Sequence, residues 1–250
     1  MTDISSLHVT TLGQGPTQLI WAHGWGQDGG AFAPTAQSLA GFCTNYLFDF
    51  PGFGKTPFSG ETWGTRNYAD YIAQWLRTLP PGKKLWIGHS FGGRVGLQMA
   101  AHHPDLIDGL VLVGTAGIPP KRTAVQRMNN WVRVYTFKAM KLFVPEGPKR
   151  DALRARFGSA DYRRAGALRP TFVKVVNENL MPEAAAIAKP TLIICGAKDD
   201  QAPPNISERL HNSIAGSAYH LLPGFDHYTI LSDGRHQVAA LIKGFLESKI

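Results

Sequence analysis

Short apolar runs alternate with amphipathic stretches along most of this chain, and that alternation restricts it to one kind of architecture. His8–Leu12, Gln18–Ala22, Tyr46–Phe50, Lys84–Ile87, Leu110–Val113, Thr191–Cys195 and Ala218–Leu222 read as strands. Leu110–Val113 and Thr191–Cys195 are almost wholly apolar, as strands covered on both faces must be. Phe32–Leu39, Asn67–Leu79, Phe91–His102, Ser207–Ile214 and Arg235–Ser248 carry helical periodicity between them. Strand and helix in this order predict a doubly wound, mostly parallel α/β sheet. A chain of 250 residues holds one such domain with an insertion. With 44% hydrophobic and 18% charged residues it is neither disordered nor a coiled coil. Two cysteines, Cys43 and Cys195, exclude a disulfide framework or a cysteine zinc cluster. No apolar run has the length of a membrane span, and Met1–Leu12 lacks the basic start and apolar core of a signal peptide. The expectation is a cytoplasmic protein.

The alternation is interrupted once. Residues 115–190 separate two clear strands, and their pattern is helical throughout. Over Arg122–Phe143, the residues Val125, Met128, Val132, Tyr135, Ala139 and Leu142 fall on one helix face, with Arg122, Arg127, Arg133, Lys138 and Lys141 on the other. Further helices are expected over Lys149–Phe157, Asp161–Leu168 and Thr171–Asn179. The predicted organisation is a core of residues 1–117 and 189–250 with a helical lid, 118–188, inserted in it. The net charge of +8 resides in that lid. It holds 14 Lys and Arg against 5 Asp and Glu, and the rest of the chain is nearly balanced. Such a segment is either a solvated face or a docking surface for an acidic partner.

The chemistry is concentrated in three places. Gly88-His89-Ser90-Phe91-Gly92-Gly93 follows a strand and opens a helix. As a bare pattern it is a common Gly-Ser turn. At a strand-to-helix junction it forms a sharp elbow that lifts the serine hydroxyl above the sheet. A serine nucleophile needs a base, and the base needs an acid to orient it. Asp199 lies in the loop after the Thr191–Cys195 strand, and His227 lies in the loop after Ala218–Leu222. Both stand where α/β sheets place their sites. Of the adjacent pair, Asp199 fits the turn before Pro203, and Asp200 is expected to face solvent. Asp226 reads as a turn residue. The loop after Leu110–Val113, Gly114-Thr115-Ala116-Gly117, offers no acid. His102-His103 lacks the carboxylate or thiol spacing of a metal site, so neither metal nor cofactor is expected. Acyl chemistry also needs two donors for the oxyanion. The N–H of Phe91 supplies one, and the N–H of Trp25 in His23-Gly24-Trp25-Gly26 the other, with His23 and Gly24 holding the turn. Trp25, Phe91 and Trp131 are candidates for an apolar substrate pocket. For Tyr135 the expectation is packing of the lid on the core.

These residues, with Asp49-Phe50-Pro51-Gly52-Phe53-Gly54, resemble the α/β-hydrolase superfamily over nearly the whole chain. The resemblance implies a Ser90–His227–Asp199 triad and a lid inserted after the sixth of eight strands, the first strand here being absent. The short N-terminus, the His23–Gly26 loop and the Asp49–Gly54 turn resemble the pimeloyl-acyl-carrier-protein methyl ester esterases of biotin synthesis. In that family a basic lid docks an acidic carrier protein, and Trp often stands where this chain has His89. Ser90 departs from the epoxide hydrolases and haloalkane dehalogenases, which need Asp there. Phe91 departs from the proline iminopeptidases, and Tyr228 from the meta-cleavage hydrolases. Cofactor-free perhydrolases share the triad. The expected activity is hydrolysis of small esters with apolar acyl groups. A pimeloyl-carrier esterase, an acyl thioesterase or an acyltransferase is the alternative. Two other classes remain: a binder of nucleic acid or anionic surfaces through the basic lid, which has no recognised motif behind it, and a hydrolase-fold interaction protein without catalysis.

Overall fold

A computed structural model of the protein describes residues 3–58, 60–119, 123–145, 147, 149 and 159–250. Seven strands form one sheet: β1 Val9–Leu12, β2 Thr17–Ala22, β3 Cys43–Phe48, β4 Lys84–His89, β5 Gly109–Val113, β6 Thr191–Gly196 and β7 Ala218–Leu222. Their order is β1-β3-β2-β4-β5-β6-β7. Every neighbouring pair is parallel except β1 with β3. The doubly wound α/β sheet expected from the alternation is the fold observed. β1 and β2 are consecutive yet not neighbours, because β3 lies between them. The winding direction reverses between β2 and β4, so a crevice opens outside their carboxyl ends. The loops leaving those two strands carry Trp25 and Ser90.

Helices cover both faces: α1 Ala33–Leu39, α2 Thr65–Leu76, α3 Phe91–His102, α8 Pro204–Ser213, α9 Thr229–Ser232 and α10 Arg235–Lys249. Two buried apolar layers result. One contains Ile20, Phe48, Trp86 and Leu112 against α2, α3 and α8; the other contains Leu19, Trp21, Ile87 and Val113 against α1 and α10. Each such fully buried side chain contributes about 1.5–3 kcal/mol. Both central tryptophans also satisfy their N–H. Trp21 donates to Asn45 Oδ1 at 2.9 Å and Trp86 to the Gly92 carbonyl at 3.0 Å.

Element ends differ from expectation for local reasons. β3 stops at Phe48 rather than Phe50: the Asp49 N–H still donates to the His8 carbonyl at 3.0 Å, just outside β1, and the chain then turns away. The Asp49 carboxylate accepts from the Gly29 and Lys55 N–H groups, both at 2.8 Å, and the Phe50 N–H donates to His23 Nε2 at 3.0 Å. α2 starts two residues early, with the Gly64 N–H held by Asn67 Oδ1 and the Thr65 N–H by Glu178.

Between β5 and β6 lie α4 Ala124–Phe143, α5 Ala160–Arg164, α6 Arg169–Asn177 and α7 Met181–Ala186. Thr123 and Gln126 cap α4 reciprocally, as the start of a helix there requires. The helix expected over Lys149–Phe157 falls, after its first residue, outside the described residues. The α4 face carrying Val125, Met128, Val132 and Tyr135 does not pack inward as its periodicity suggested; these residues are exposed. Periodicity marks an apolar face but not what covers it. α7 was not anticipated. It packs on α3, and Leu180, Ala184 and Ile187 join the buried layer beneath it.

Candidate active site

Ser90 ends the β4 turn at φ +50° and ψ −105°, the one non-glycine residue at positive φ among those described. Such a conformation costs about 1–3 kcal/mol and persists only where the surroundings impose it. Here they do. The Ser90 N–H donates to the Val113 carbonyl at 3.0 Å, and α3 starts at the next residue. A Cβ at Gly92 would run into the Ala22 carbonyl oxygen, so only glycine lets α3 approach β2 this closely.

The loops after β6 and β7 bring Asp199 and His227 together. His227 Nδ1 donates to Asp199 Oδ2 at 2.7 Å, with the residues 4% and 3% exposed. Asp199 Oδ1 accepts from the Gln201 and Ala202 N–H groups at 2.9 and 2.7 Å. Both carboxylate oxygens are thus occupied and the carboxylate cannot turn. With Nδ1 protonated toward Asp199, Nε2 is left as the basic nitrogen. Gly114, at φ +51°, backs the pair, and a Cβ there would stand 3.1 Å from Asp199 Oδ2. Asp200 is exposed. Asp226 accepts from the Tyr228 and Thr229 N–H groups and caps the turn that presents His227.

Ser90 and His227 line one cavity of about 210 Å³. Their hydrogen bond is not formed among the described residues, an open geometry common where substrate is needed to tighten the contact. The Trp25 and Phe91 N–H groups likewise have no acceptor among the described residues. The Trp25 ring meets Phe53, Phe91 and Phe172 edge-on, with centroids 4.9–5.4 Å apart. Trp131 is not part of this wall. It is 55% exposed on α4, with its ring 4.5 Å from that of Tyr135, and it lines neither cavity at the crevice. Phe172, Val175 and Val176 of α6 supply the apolar wall instead. A second cavity of about 830 Å³ adjoins through Trp25, Asp161 and Gln201. Another of about 500 Å³ lies at the amino ends of β6 and β7, away from these groups.

Two buried histidines frame the site. His23 Nδ1 donates to the Gly24 carbonyl at 2.8 Å while Nε2 accepts from Phe50, and burial pushes its pKa down to about 4. His89 Nε2 donates to the His227 carbonyl at 2.9 Å. Burial, then the neighbouring His227, pushes its pKa down to about 3. Both rings are therefore neutral at pH 7 and serve as spacers between loops. No cluster of three or more potential metal ligands occurs among the described residues.

A profile of the "Alpha/beta hydrolase family" matches residues 19–241, nearly the whole sheet and everything inserted in it. The chain belongs to the alpha/beta hydrolase family. Two curated relatives are each named "Pimeloyl-[acyl-carrier protein] methyl ester esterase". That of Shewanella woodyi is 29% identical over 248 residues, 91% of this chain and 93% of the relative. That of Chromobacterium violaceum is 29% identical over 255 residues, 94% of this chain and 96% of the relative. Among solved structures, an esterase from Exiguobacterium antarcticum superposes with TM-score 0.75 at 20% identity, covering 97% of this chain and 96% of the other. An enol-lactonase from Burkholderia xenovorans gives 0.74 at 19%, with the same coverage. At those identities the structures share the hydrolase fold. Three groups of this alpha/beta hydrolase escaped the sequence reading: His89 behind His227, Asp161 on the crevice, and Arg94 inside the smaller cavity. His89 belongs to the Gly88–Gly93 motif itself. Asp161 and Arg94 carried no signal distinguishing them from surface charges.

Proposed function

We propose that this alpha/beta hydrolase is a serine esterase acting on carboxylic esters. The observation that carries the reading is the buried Asp199–His227 hydrogen bond in the same crevice as a strained, uncommitted serine. Ser90 Oγ attacks the ester carbonyl while His227 Nε2 takes its proton. The oxyanion forms against the N–H groups of Trp25 and Phe91, where each donor is worth about 3 kcal/mol of barrier. The C–O bond to the alcohol breaks, and imidazolium returns the proton to the leaving oxygen. Water, deprotonated by His227, then cleaves the acyl-Ser90 ester and frees the acid. Asp199 holds the imidazole and stabilises its charged form. Trp25 and Phe91 also form part of the acyl pocket, and residues 118–188 act as the lid over it. No helix among the described residues is long and apolar enough to cross a membrane. Cys43 and Cys195 are buried free thiols, which suits the reducing cytoplasm.

A second reading is favoured by two observations, the curated relatives and the basic excess of residues 118–188. In it the ester is borne by an acidic acyl carrier protein docked on the lid. The test of the first reading is hydrolysis of p-nitrophenyl esters of graded acyl length by wild type and Ser90→Ala. Loss of at least 10³-fold in kcat/KM is expected in the variant, and equal rates would overturn the reading. Retention on immobilised carrier protein at low salt, released at high salt, would support the second.

A further inference from the structure

Arg94 lies one helical turn along α3 from Ser90, and its backbone N–H donates to the Ser90 carbonyl at 3.1 Å. Its side chain lines the same cavity of about 210 Å³ as Ser90 and His227. A guanidinium has five N–H donors. One, on Nη1, donates to the Val175 carbonyl at 3.1 Å. The side chain forms no other hydrogen bond or ion pair among the described residues. Glu178, whose field Arg94 feels, is engaged with Thr65, accepting from its N–H at 3.0 Å and its hydroxyl at 2.6 Å. The other walls beside Arg94 are Phe91, Ala116, Phe172, Val175 and Val176. Burial among them pushes the guanidinium pKa down to about 10, with Glu178 opposing. It is therefore still charged at neutral pH. A desolvated cation with unused donors, facing a cavity, is matched by an anion that fills it.

We propose that Arg94 is the anion-binding residue of the acyl subsite, selecting esters whose acyl chain ends in a carboxylate a few carbons from the scissile carbonyl. The inference rests on Ser90 as the nucleophile. Arg94 stands one helical turn from Ser90 on the same cavity, so the chain between carbonyl and carboxylate is short. The small cavity agrees. The planar guanidinium can meet a carboxylate with two parallel hydrogen bonds, which a lysine could not. The other charge on the cavity fixes the orientation. Asp161 interacts electrostatically with His227 and Arg164, not with Arg94, and would repel an anion at the His227 end. The carboxylate points to Arg94, and the alcohol leaves toward the adjoining cavity of about 830 Å³.

The test compares monomethyl succinate, glutarate and adipate with the methyl esters of the corresponding unbranched monoacids, in wild type, Arg94→Leu and Arg94→Lys. Wild type should favour one of the charged esters at least 10-fold in kcat/KM, mostly through KM. Arg94→Leu should shrink that ratio at least 10-fold, and Arg94→Lys should keep part of it. Because the readout is a ratio within one protein, a general loss of folded enzyme does not mimic it. A wild-type preference for the neutral esters, or a ratio unchanged in Arg94→Leu, overturns the proposal while leaving the esterase reading intact. If wild type cleaves neither ester, the esterase reading is left to the p-nitrophenyl assay and the subsite is read by binding alone. Glutarate should then raise the melting temperature of wild type and not of Arg94→Leu; equal shifts in both, or none in wild type, overturn it.

Discussion

Asp199 shows how little freedom the site leaves to a single residue. Its Oδ1 is held by two backbone N–H groups and its Oδ2 by His227. In Asp199→Asn the amide oxygen must stay with the Gln201 and Ala202 N–H groups, which accept no substitute. The amide NH₂ then faces His227 Nδ1 and forces that nitrogen to accept. Nε2 becomes the protonated nitrogen and cannot take the Ser90 proton. A folded variant with kcat lowered by about 10⁴ is expected, from the wrong tautomer alone. Steady-state hydrolysis of p-nitrophenyl butyrate, with circular dichroism as a control for folding, checks it. An undiminished kcat would mean that His227 is not oriented through Nδ1.

At the scale of elements, one carboxylate is among the ties that fasten the inserted segment to the core. Glu178, just past α6, caps α2 through the Thr65 N–H and hydroxyl. Glu178→Ala should destabilise the protein by about 1–2 kcal/mol, as loss of a helix cap with a charged hydrogen bond does. Urea denaturation measures the loss, and limited proteolysis should show earlier cleavage within 160–177. The elements also show what could be read in advance. The central strands were legible because a sheet covered on both faces demands apolar runs, and the half-covered edge strands β1 and β7 because they fall in the same alternation with helices. The loops bearing Trp25, Ser90, Asp199 and His227 were legible because they follow those strands directly. The wall of the cavity was not. Phe172, Val175 and Val176 resemble any amphipathic helix until tertiary packing turns α6 toward Trp25. Trp131 looked equally suitable, and α4 turns it outward. Arg94 reads as a surface charge on α3 because nothing local records the cavity beside it.

For the whole molecule, the two buried histidines couple stability to pH. His23 and His89 have folded pKa values near 4 and 3, below the ordinary value of 6.5. The unfolded chain therefore binds protons that the folded protein does not, and stability rises with pH across that window. It is fully present above pH 6.5 and falls as pH drops toward the folded values. Between pH 6 and 5 the two should remove about 2 kcal/mol. Urea midpoints over that range measure it, and His89→Gln, which keeps a donor toward the His227 carbonyl, should remove about half the slope. A second property of the whole follows from where the insertion falls. Leu110 of β5 pairs with Thr191 of β6, across the longest detour between adjacent strands of the sheet. Loop-closure entropy makes that pairing a late event. Ser90, Trp25 and Phe91 precede the detour, while Asp199 and His227 follow it. All six tryptophans, from Trp21 to Trp131, lie before β6 as well. Tryptophan emission during refolding thus comes from side chains that all precede β6, although Trp21 and Trp86 also sense the layers that α10 and α8 complete. Most of its change should precede the return of esterase activity, and a stopped-flow trace that coincides throughout with the recovery of activity would show that the sheet closes in one step.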